Sequence, residues 1–160
     1  MCYLKFVYNA TSFYSYYLNA IRTQQLTDIM KIIDSELLDE ICKKAKESPR
    51  LRMNYNLHSE LDEPVQRLMN ALEPGTEIPV HRHRHTDETY LVLRGSLNVV
   101  IFNEKKEQLE KILLDPLKGS YGVSVPAGQW HSVEVLETNT VIFEIKEGPY
   151  AALGEEDILK

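Results

Sequence analysis

Four of the five histidines fall in two short stretches of the chain. The first stretch contains His81, His83 and His85, with Glu88 close behind, and the second ends at His131. Side chains two residues apart in a strand point to the same face, so the imidazoles of His81 and His83 would share one face. Imidazole together with carboxylate suits Fe, Mn, Zn, Ni or Cu. Because His-x-His alone is common on exposed strands, the metal hypothesis depends on the residues around it.

Those surroundings form two longer patterns. The first has the spacing G-x5-H-x-H-x4-E-x6-G and runs from Gly75 to Gly95, and the second, P-x-G-x2-H, runs from Pro126 to His131. They resemble the first and second motifs of the cupin superfamily. The second motif departs from the family pattern, because Gly119 lies one residue too far from Pro126 and Val135 stands where the family has asparagine.

The resemblance to cupins implies a fold and a ligand set. The fold is a mainly β, double-stranded β-helix (jelly-roll) barrel. The ligands are three imidazoles and one carboxylate that converge on one divalent transition metal (Fe, Mn, Zn or Ni): His81, His83, Glu88 and His131. Four protein ligands would leave an octahedral ion two positions for water or substrate.

Across residues 30–150 the chain also resembles WbuC-type cupin metalloproteins, which are associated with surface-polysaccharide (O-antigen or capsule) gene clusters. The resemblance is carried by the stretch Ser48-Pro-Arg-Leu-Arg-Met-Asn-Tyr-Asn-Leu-His58, by Pro79 to Tyr90 and by the distal Pro126 to His131. It implies a fold, a metal and a biological setting, but no catalytic activity.

The stretch from Arg50 to His58 places five polar residues on one face of a predicted strand: Arg50, Arg52, Asn54, Asn56 and His58. If this face lines the barrel mouth, the arginines and amides would bind a carboxylate or phosphate and the hydroxyls of a sugar. The alternative is an edge strand whose polar side faces water.

Other polar residues are candidates for smaller roles. A proton shuttle for isomerisation or epimerisation could be provided by His58, Tyr90 or His85, with His58 and Tyr90 preferred as catalytic residues. His85 has no ligand role in the motif. Glu144 could be an internal carboxylate, but we expect it to face solvent.

The remaining sequence predicts one helix and many short strands. Apolar positions from Leu37 to Ala45 have the spacing of one helical face, Asp34 or Ser35 can cap its start and Pro49 stops it, so we predict an amphipathic helix over residues 34–47. Alternation and turn signals predict the strands that follow. After the strand at 50–58 they are 65–72, 89–93, 97–102, 111–114, 121–125, 132–136 and 140–145.

The amino-acid composition changes near Met30, and we place the boundary of the domain there. Residues 1–29 hold seven of the fourteen aromatic residues and few charges, and their polar residues interrupt the apolar centre that a signal peptide needs. We interpret them as an N-terminal extension, with the hypothesis that it lies outside the native protein. The cupin domain spans residues 30–150, and residues 151–160 form an acidic tail, of which we expect residues 154–157 to be solvated.

The composition argues against nucleic acids and membranes as binding partners. A net charge of −6 gives little basis for nucleic-acid binding, and no apolar run is long enough to span a bilayer. The two cysteines, Cys2 and Cys42, lack metal-type spacing and fit reduced thiols in the cytoplasm. We expect a homodimer that binds a small anionic or sugar-like ligand.

Three functions remain open at this point. The first is a metal-dependent enzyme, such as an isomerase or epimerase, acting on a sugar or sugar nucleotide in polysaccharide biosynthesis. The second is a non-haem iron dioxygenase, and the third is a non-catalytic cupin that binds or senses a small ligand.

Overall fold

The computed structural model describes residues 30–159, so the predicted extension at residues 1–29 lies outside the described residues. Helix α1 spans Ser35–Glu47 and begins with an aspartate cap, in which the Asp34 side chain accepts a hydrogen bond from the N–H of Leu37 at 3.0 Å. This matches the prediction of a helix over residues 34–47. The buried face of α1 packs on the outside of the sheet at Met69, Ala71 and Val141.

Eight strands follow α1 among the described residues. In chain order they are β1 (Arg52–Asn56), β2 (Val65–Leu72), β3 (Glu88–Arg94), β4 (Leu97–Phe102), β5 (Gln108–Leu114), β6 (Gly122–Val125), β7 (Trp130–Val135) and β8 (Thr140–Glu147). All their pairings are antiparallel. They form a five-stranded sheet in the order β1-β2-β8-β3-β6 and a three-stranded sheet in the order β5-β4-β7.

The two sheets bury one apolar core between them. Leu72, Val92 and Ile142 of the five-stranded sheet share it with Leu97 and Val133 of the three-stranded sheet. Alternation of apolar side chains along each strand drives this packing, since every second residue points inward. Within residues 30–159, the architecture confirms the predicted mainly β jelly roll with one leading helix.

At two of the motif glycines, the backbone conformation explains why the residue is glycine. Gly95 links β3 to β4 at φ +73°, and a Cβ there would collide with Oγ1 of Thr140. Gly128 has φ +81°, and its N–H donates to the carbonyl oxygen of His83 at 2.7 Å. The turn before His131 is therefore hydrogen-bonded directly to the first histidine stretch.

Part of the stretch expected to be solvated packs on the domain, because Asp157 forms an ion pair with Arg82 and its carbonyl oxygen accepts from the N–H of Arg82. The N–H of Leu159 donates to the carbonyl oxygen of Val80 at 2.9 Å, and Ile158 forms a bridge with His81. The tail is thus hydrogen-bonded to the segment that carries the first histidines. No helix within residues 30–159 has the length and apolarity needed to cross a membrane.

Candidate metal centre

His81 and His131 are brought together by a reciprocal pair of backbone hydrogen bonds. The N–H of each residue donates to the carbonyl oxygen of the other at 2.9 Å, and the ring centroids lie 4.4 Å apart. Glu88, the first residue of β3, is 2% exposed, and its Oε2 lies 3.1 Å from Nε2 of His131. One ligand atom from each of these three residues lies within 4.8 Å of the other two. Three of the four predicted ligands therefore meet in one buried cluster.

His83, the fourth predicted ligand, lies beside that cluster. Its Nε2 is 3.4 Å from Oε1 of Glu88, and its ring centroid is 5.3 Å from that of His81. The expected strand is not formed here, because His81 makes isolated bridges to single residues on two sides instead of a continuous ladder. The side chain of His83 nevertheless reaches the same carboxylate as His131.

Backbone carbonyls fix the tautomers of the two buried rings. Nδ1 of His81 lies 3.0 Å from the carbonyl oxygen of Pro79, and Nδ1 of His131 lies 2.9 Å from that of Gln129. A carbonyl oxygen can only accept, so each Nδ1 carries the hydrogen that it donates. In its neutral form, a ring with its hydrogen on Nδ1 keeps a lone pair on Nε2, which is the form in which imidazole binds a metal.

Nε2 of His131 faces two oxygen atoms, one from Tyr90 and one from Glu88. The Tyr90 hydroxyl donates its one hydrogen to Oε2 of Glu88 and lies 3.2 Å from Nε2 of His131. An ionised Glu88 has no hydrogen to offer across the 3.1 Å to that Nε2. Two acceptors at this distance repel unless a cation is shared between them, and either a metal ion or a proton would provide it. The residues present thus fit a bound cation.

The charge states of His81 and Glu88 are those of metal ligands. Burial, reinforced by the neighbouring His131, lowers the pKa of His81 to about 4, so its ring is neutral at pH 7. Burial alone would raise the pKa of Glu88, but its contacts with His131 and His83 hold that pKa well below the usual range. A neutral imidazole and an ionised carboxylate are therefore available together.

A second buried carboxyl group lies next to the cluster. Glu144 on β8 is 7% exposed and accepts a hydrogen bond from Nδ2 of Asn70 at 2.5 Å. Nζ of Lys146 donates to Glu144 at 2.8 Å and to Oε1 of Glu88 at 3.3 Å. The expectation that Glu144 faces solvent is wrong, because the register of β8 between β2 and β3 turns its side chain inward.

Sequence reasoning did not single out Lys146 or Asn70. Apolar residues occupy both faces of β8, so the alternation does not show which face points inward. Burial and the charge of Glu88 raise the pKa of Glu144 to about 8. The site therefore contains two carboxyl groups whose pKa values are shifted in opposite directions.

A cavity of about 580 Å³ opens onto this centre. All five polar residues of the stretch Arg50 to His58 line it, together with His81, His83, Glu88, Tyr90, Glu144 and Lys146. The strand β1 lies at the edge of the five-stranded sheet, yet its polar side faces the cavity. Cationic and amide side chains and the histidine cluster therefore line the same cavity.

Individual lining residues have further contacts. The guanidinium of Arg52 donates to the carbonyl oxygen of Glu77, and this hydrogen bond restrains the Arg52 side chain at the cavity wall. His58 is buried, and its Nδ1 lies within 3.2 Å of the backbone N–H of Arg67. Tyr90 is 4% exposed and donates to Glu88, so the predicted cavity-facing tyrosine is in contact with the cluster. His85, by contrast, is exposed.

The sequence matches a known protein family over about half of its length. The model of a family described as "Domain of unknown function (DUF6016)" matches residues 33–114. None of the curated proteins matches the sequence.

Several solved structures have a similar fold. TT1209 from Thermus thermophilus is 23% identical, with a TM-score of 0.55 over 74% of this chain and 97% of that one. The conserved SPY1581 protein of unknown function from Streptococcus pyogenes is 16% identical, with a TM-score of 0.51 over 76% and 90%. KdgF from Halomonas sp. is 18% identical, with a TM-score of 0.50 over 65% and 84%. At these identities the likeness concerns the fold alone.

Proposed function

Since the chain belongs to the family described as a domain of unknown function (DUF6016), we propose a function from its own site: it is a metal-binding cupin. One divalent transition metal is held by His81, His83, Glu88 and His131. The observation that carries this proposal is the buried cluster in which one ligand atom from each of His81, Glu88 and His131 lies within 4.8 Å of the other two. When bound, the ion would polarise a carbonyl or hydroxyl of the ligand as a Lewis acid.

The ligand that we propose is a sugar or sugar nucleotide of surface-polysaccharide biosynthesis. A cavity of about 580 Å³ has the size of a small-molecule site. Arg50 and Arg52 would hold an anionic group such as a phosphate, and Asn54 and Asn56 would hydrogen-bond to sugar hydroxyls. The resemblance of the stretch Ser48 to His58 to WbuC-type cupins supports the same ligand class.

Proton transfer on such a ligand would use residues beside the ligand set. Tyr90 is the better placed of the two predicted catalytic residues, because its hydroxyl lies between Glu88 and His131 in the cluster. His58 lines the same cavity but has its Nδ1 against the backbone of Arg67. Tyr90 would therefore hold or deliver a proton at its hydroxyl oxygen, and His58 at the free nitrogen of its ring.

Metal content tests the first part of the proposal. Elemental analysis of freshly purified protein should find about one transition-metal ion per chain in the wild type and in His85→Ala. His85→Ala is a matched control, because it removes an exposed imidazole from the same stretch. His131→Ala and Glu88→Ala should lose most of the metal, since each removes a buried ligand. Metal-free wild-type protein after expression and refolding with Fe, Mn, Zn and Ni would disprove the metal site.

Binding of UDP-glucose tests the ligand class. Arg50→Ala should weaken binding by roughly 10-fold or more, because a charge-assisted contact contributes about 1.5–3 kcal/mol. Arg67→Ala is the matched control, since this exposed arginine forms an ion pair with Glu63. Titration calorimetry measures both. Equal affinities for the wild type and the double variant Arg50→Ala, Arg52→Ala would show that this face serves only as a solvated strand edge.

The three-histidine, one-carboxylate ligand set favours a second candidate, a non-haem iron dioxygenase. Bound Fe(II) with ligand-dependent oxygen uptake would support the dioxygenase. Bound Zn or Mn without oxygen uptake would support an isomerase, an epimerase or a binding protein. NMR of nucleotide sugars incubated with the protein then separates turnover from binding alone.

We also propose a cytoplasmic homodimer. Leu91, Leu93 and Tyr121 are 42%, 40% and 62% exposed on β3 and just before the neighbouring edge strand β6. Exposed apolar side chains beside a sheet edge are typical of a surface that pairs with another chain. Light scattering after gel filtration should give twice the mass of one chain.

A further inference from the structure

Two arginines alternate with the first two histidines of the candidate metal centre. Arg82 and Arg84 contact the same carboxylate oxygen, Oδ1 of Asp157, with Nε–O distances of 3.2 and 2.6 Å. The side chains of Arg82 and Asp157 are 18% and 15% exposed, so their ion pair is largely removed from water. Partly buried ion pairs are less screened by solvent and salt than exposed ones, and Asp157 therefore restrains both arginines.

Backbone hydrogen bonds hold the same segment from two sides. The N–H and carbonyl oxygen of His81 bond to His131 of β7. The N–H of Arg82 donates to the carbonyl oxygen of Asp157 at 3.1 Å, and the carbonyl oxygen of Val80 accepts from Leu159. The segment that carries His81 and His83 is thus enclosed between the start of β7 and the C-terminal residues.

Arg82 also connects the tail to the third histidine. Its guanidinium lies 4.3 Å from the ring centroid of Trp130, the residue before His131. A planar guanidinium over an indole face makes a favourable cation–π contact. Asp157, Arg82 and Trp130 therefore link the C-terminal residues, the His81–His83 segment and the start of β7.

We propose that Asp157 is a positioning residue for the metal centre, holding the imidazoles of His81 and His83 in place by restraining Arg82 and Arg84. The proposal rests on the metal-binding function proposed above. It gives the acidic tail a specific role, since the carboxylate of Asp157 contacts Arg82 and Arg84 and does not line the cavity. Its effect on the metal is exerted through the segment that carries two of them.

The test compares Asp157→Ala and Asp157→Asn with Glu156→Gln in the full chain. Glu156→Gln removes one negative charge from the same tail but keeps the backbone carbonyl that accepts from Arg84. Zn²⁺ affinity is measured by competition with a chelator, and the absorption spectrum of bound Co²⁺ reports ligand geometry. We expect about 10-fold weaker Zn²⁺ binding and an altered Co²⁺ spectrum in the Asp157 variants, with no change in Glu156→Gln.

Amide hydrogen exchange of metal-free protein gives an independent measurement. Asp157→Ala should speed exchange at His81 and Arg82, while the amides of β4 keep their wild-type rates. Wild-type Zn²⁺ affinity, Co²⁺ spectrum and exchange in both Asp157 variants would overturn the proposal. Faster exchange throughout the barrel would also overturn it, because that result indicates a general loss of stability.

These experiments distinguish a failure of the proposal for Asp157 from a failure of the proposed metal-binding function. If wild-type protein binds neither Zn²⁺ nor Co²⁺, the proposed function fails. Local exchange at His81 and Arg82 then decides by itself whether Asp157 positions this segment.

Discussion

At the scale of single residues, the centre keeps two buried carboxyl groups in different protonation states. Glu88 is surrounded by histidines and Lys146, which favour its ionised form. Glu144 lies beside it in the same polar group, where burial and the charge of Glu88 raise its pKa to about 8. Pairs of titratable groups driven apart in this way are typical of sites that hold a proton on one member.

The raised pKa of Glu144 predicts a pH dependence of stability in metal-depleted protein. The folded protein keeps the Glu144 proton up to about pH 8, whereas the unfolded chain loses it near pH 4.5, so the free energy of unfolding falls as pH rises between these values. His81 has the opposite effect, but only below pH 6.5. Glu144→Gln should therefore reduce the fall in stability between pH 6.5 and 8 by about 1–2 kcal/mol.

Urea denaturation at the two pH values measures this difference. Glu134→Gln is the control, because the Glu134 carboxylate is exposed and its pKa is lowered by Lys111. A Glu144→Gln variant whose stability falls as steeply as that of the wild type would show that Glu144 does not hold a proton in this window.

At the scale of elements, the conformations of two turns help to set the positions of the strands that carry the proposed metal ligands. The β3–β4 turn requires a residue with positive φ at Gly95, and the backbone of Thr140 approaches so closely that a Cβ would lie 2.9 Å from its Cα. The turn ending at Gly128 sets the start of β7 against the His83 carbonyl. At both of these motif positions the backbone conformation, and not side-chain chemistry, requires glycine.

Replacement of Gly95 tests this close approach. Gly95→Ala should lower the free energy of unfolding by about 2–4 kcal/mol, because alanine is strained at positive φ and its Cβ would collide with Thr140. Gly119→Ala is the matched control, since Gly119 has φ +80° but no neighbour within 4 Å of a built Cβ. It should cost only about 1 kcal/mol. Equal losses in the two variants, measured by chemical denaturation, would mean that Thr140 moves aside.

At the scale of the whole molecule, the proposed ligands come from both sheets. Glu88 begins β3 in the five-stranded sheet, and His131 lies on β7 in the three-stranded sheet. His81 is bridged to His131 and to the C-terminal Ile158. A bound ion would therefore connect parts of the chain that are distant in sequence and stabilise their common arrangement.

Metal addition should therefore raise the thermal stability of the barrel. At a free metal concentration about 100-fold above its Kd, binding adds about 2.7 kcal/mol, which corresponds to a rise in Tm of about 5–10 °C for a chain of this size. Scanning calorimetry with and without Zn²⁺ measures the shift. His85→Ala should keep the shift and His131→Ala should lose it. An equal shift in His131→Ala would place the stabilising ion elsewhere.

The sequence by itself determined the parts that depend on local pattern. Periodicity and capping predicted α1 to within one residue, and alternation located the strands, with β2 and β4 at their observed bounds. Motif spacing selected His81, Glu88 and His131, which the structure brings together. Local preferences suffice for these features because side-chain direction in a strand and hydrogen bonding at a helix start involve neighbouring residues.

Only the tertiary structure decided the features that depend on pairing between distant segments. The inward position of Glu144 and Lys146 follows from the register of β8 against β2 and β3, and a shift of one residue would turn both outward. The contact of Asp157 with Arg82 joins residues 75 positions apart. Long-range register is fixed by the packing of the whole core, which no local pattern contains.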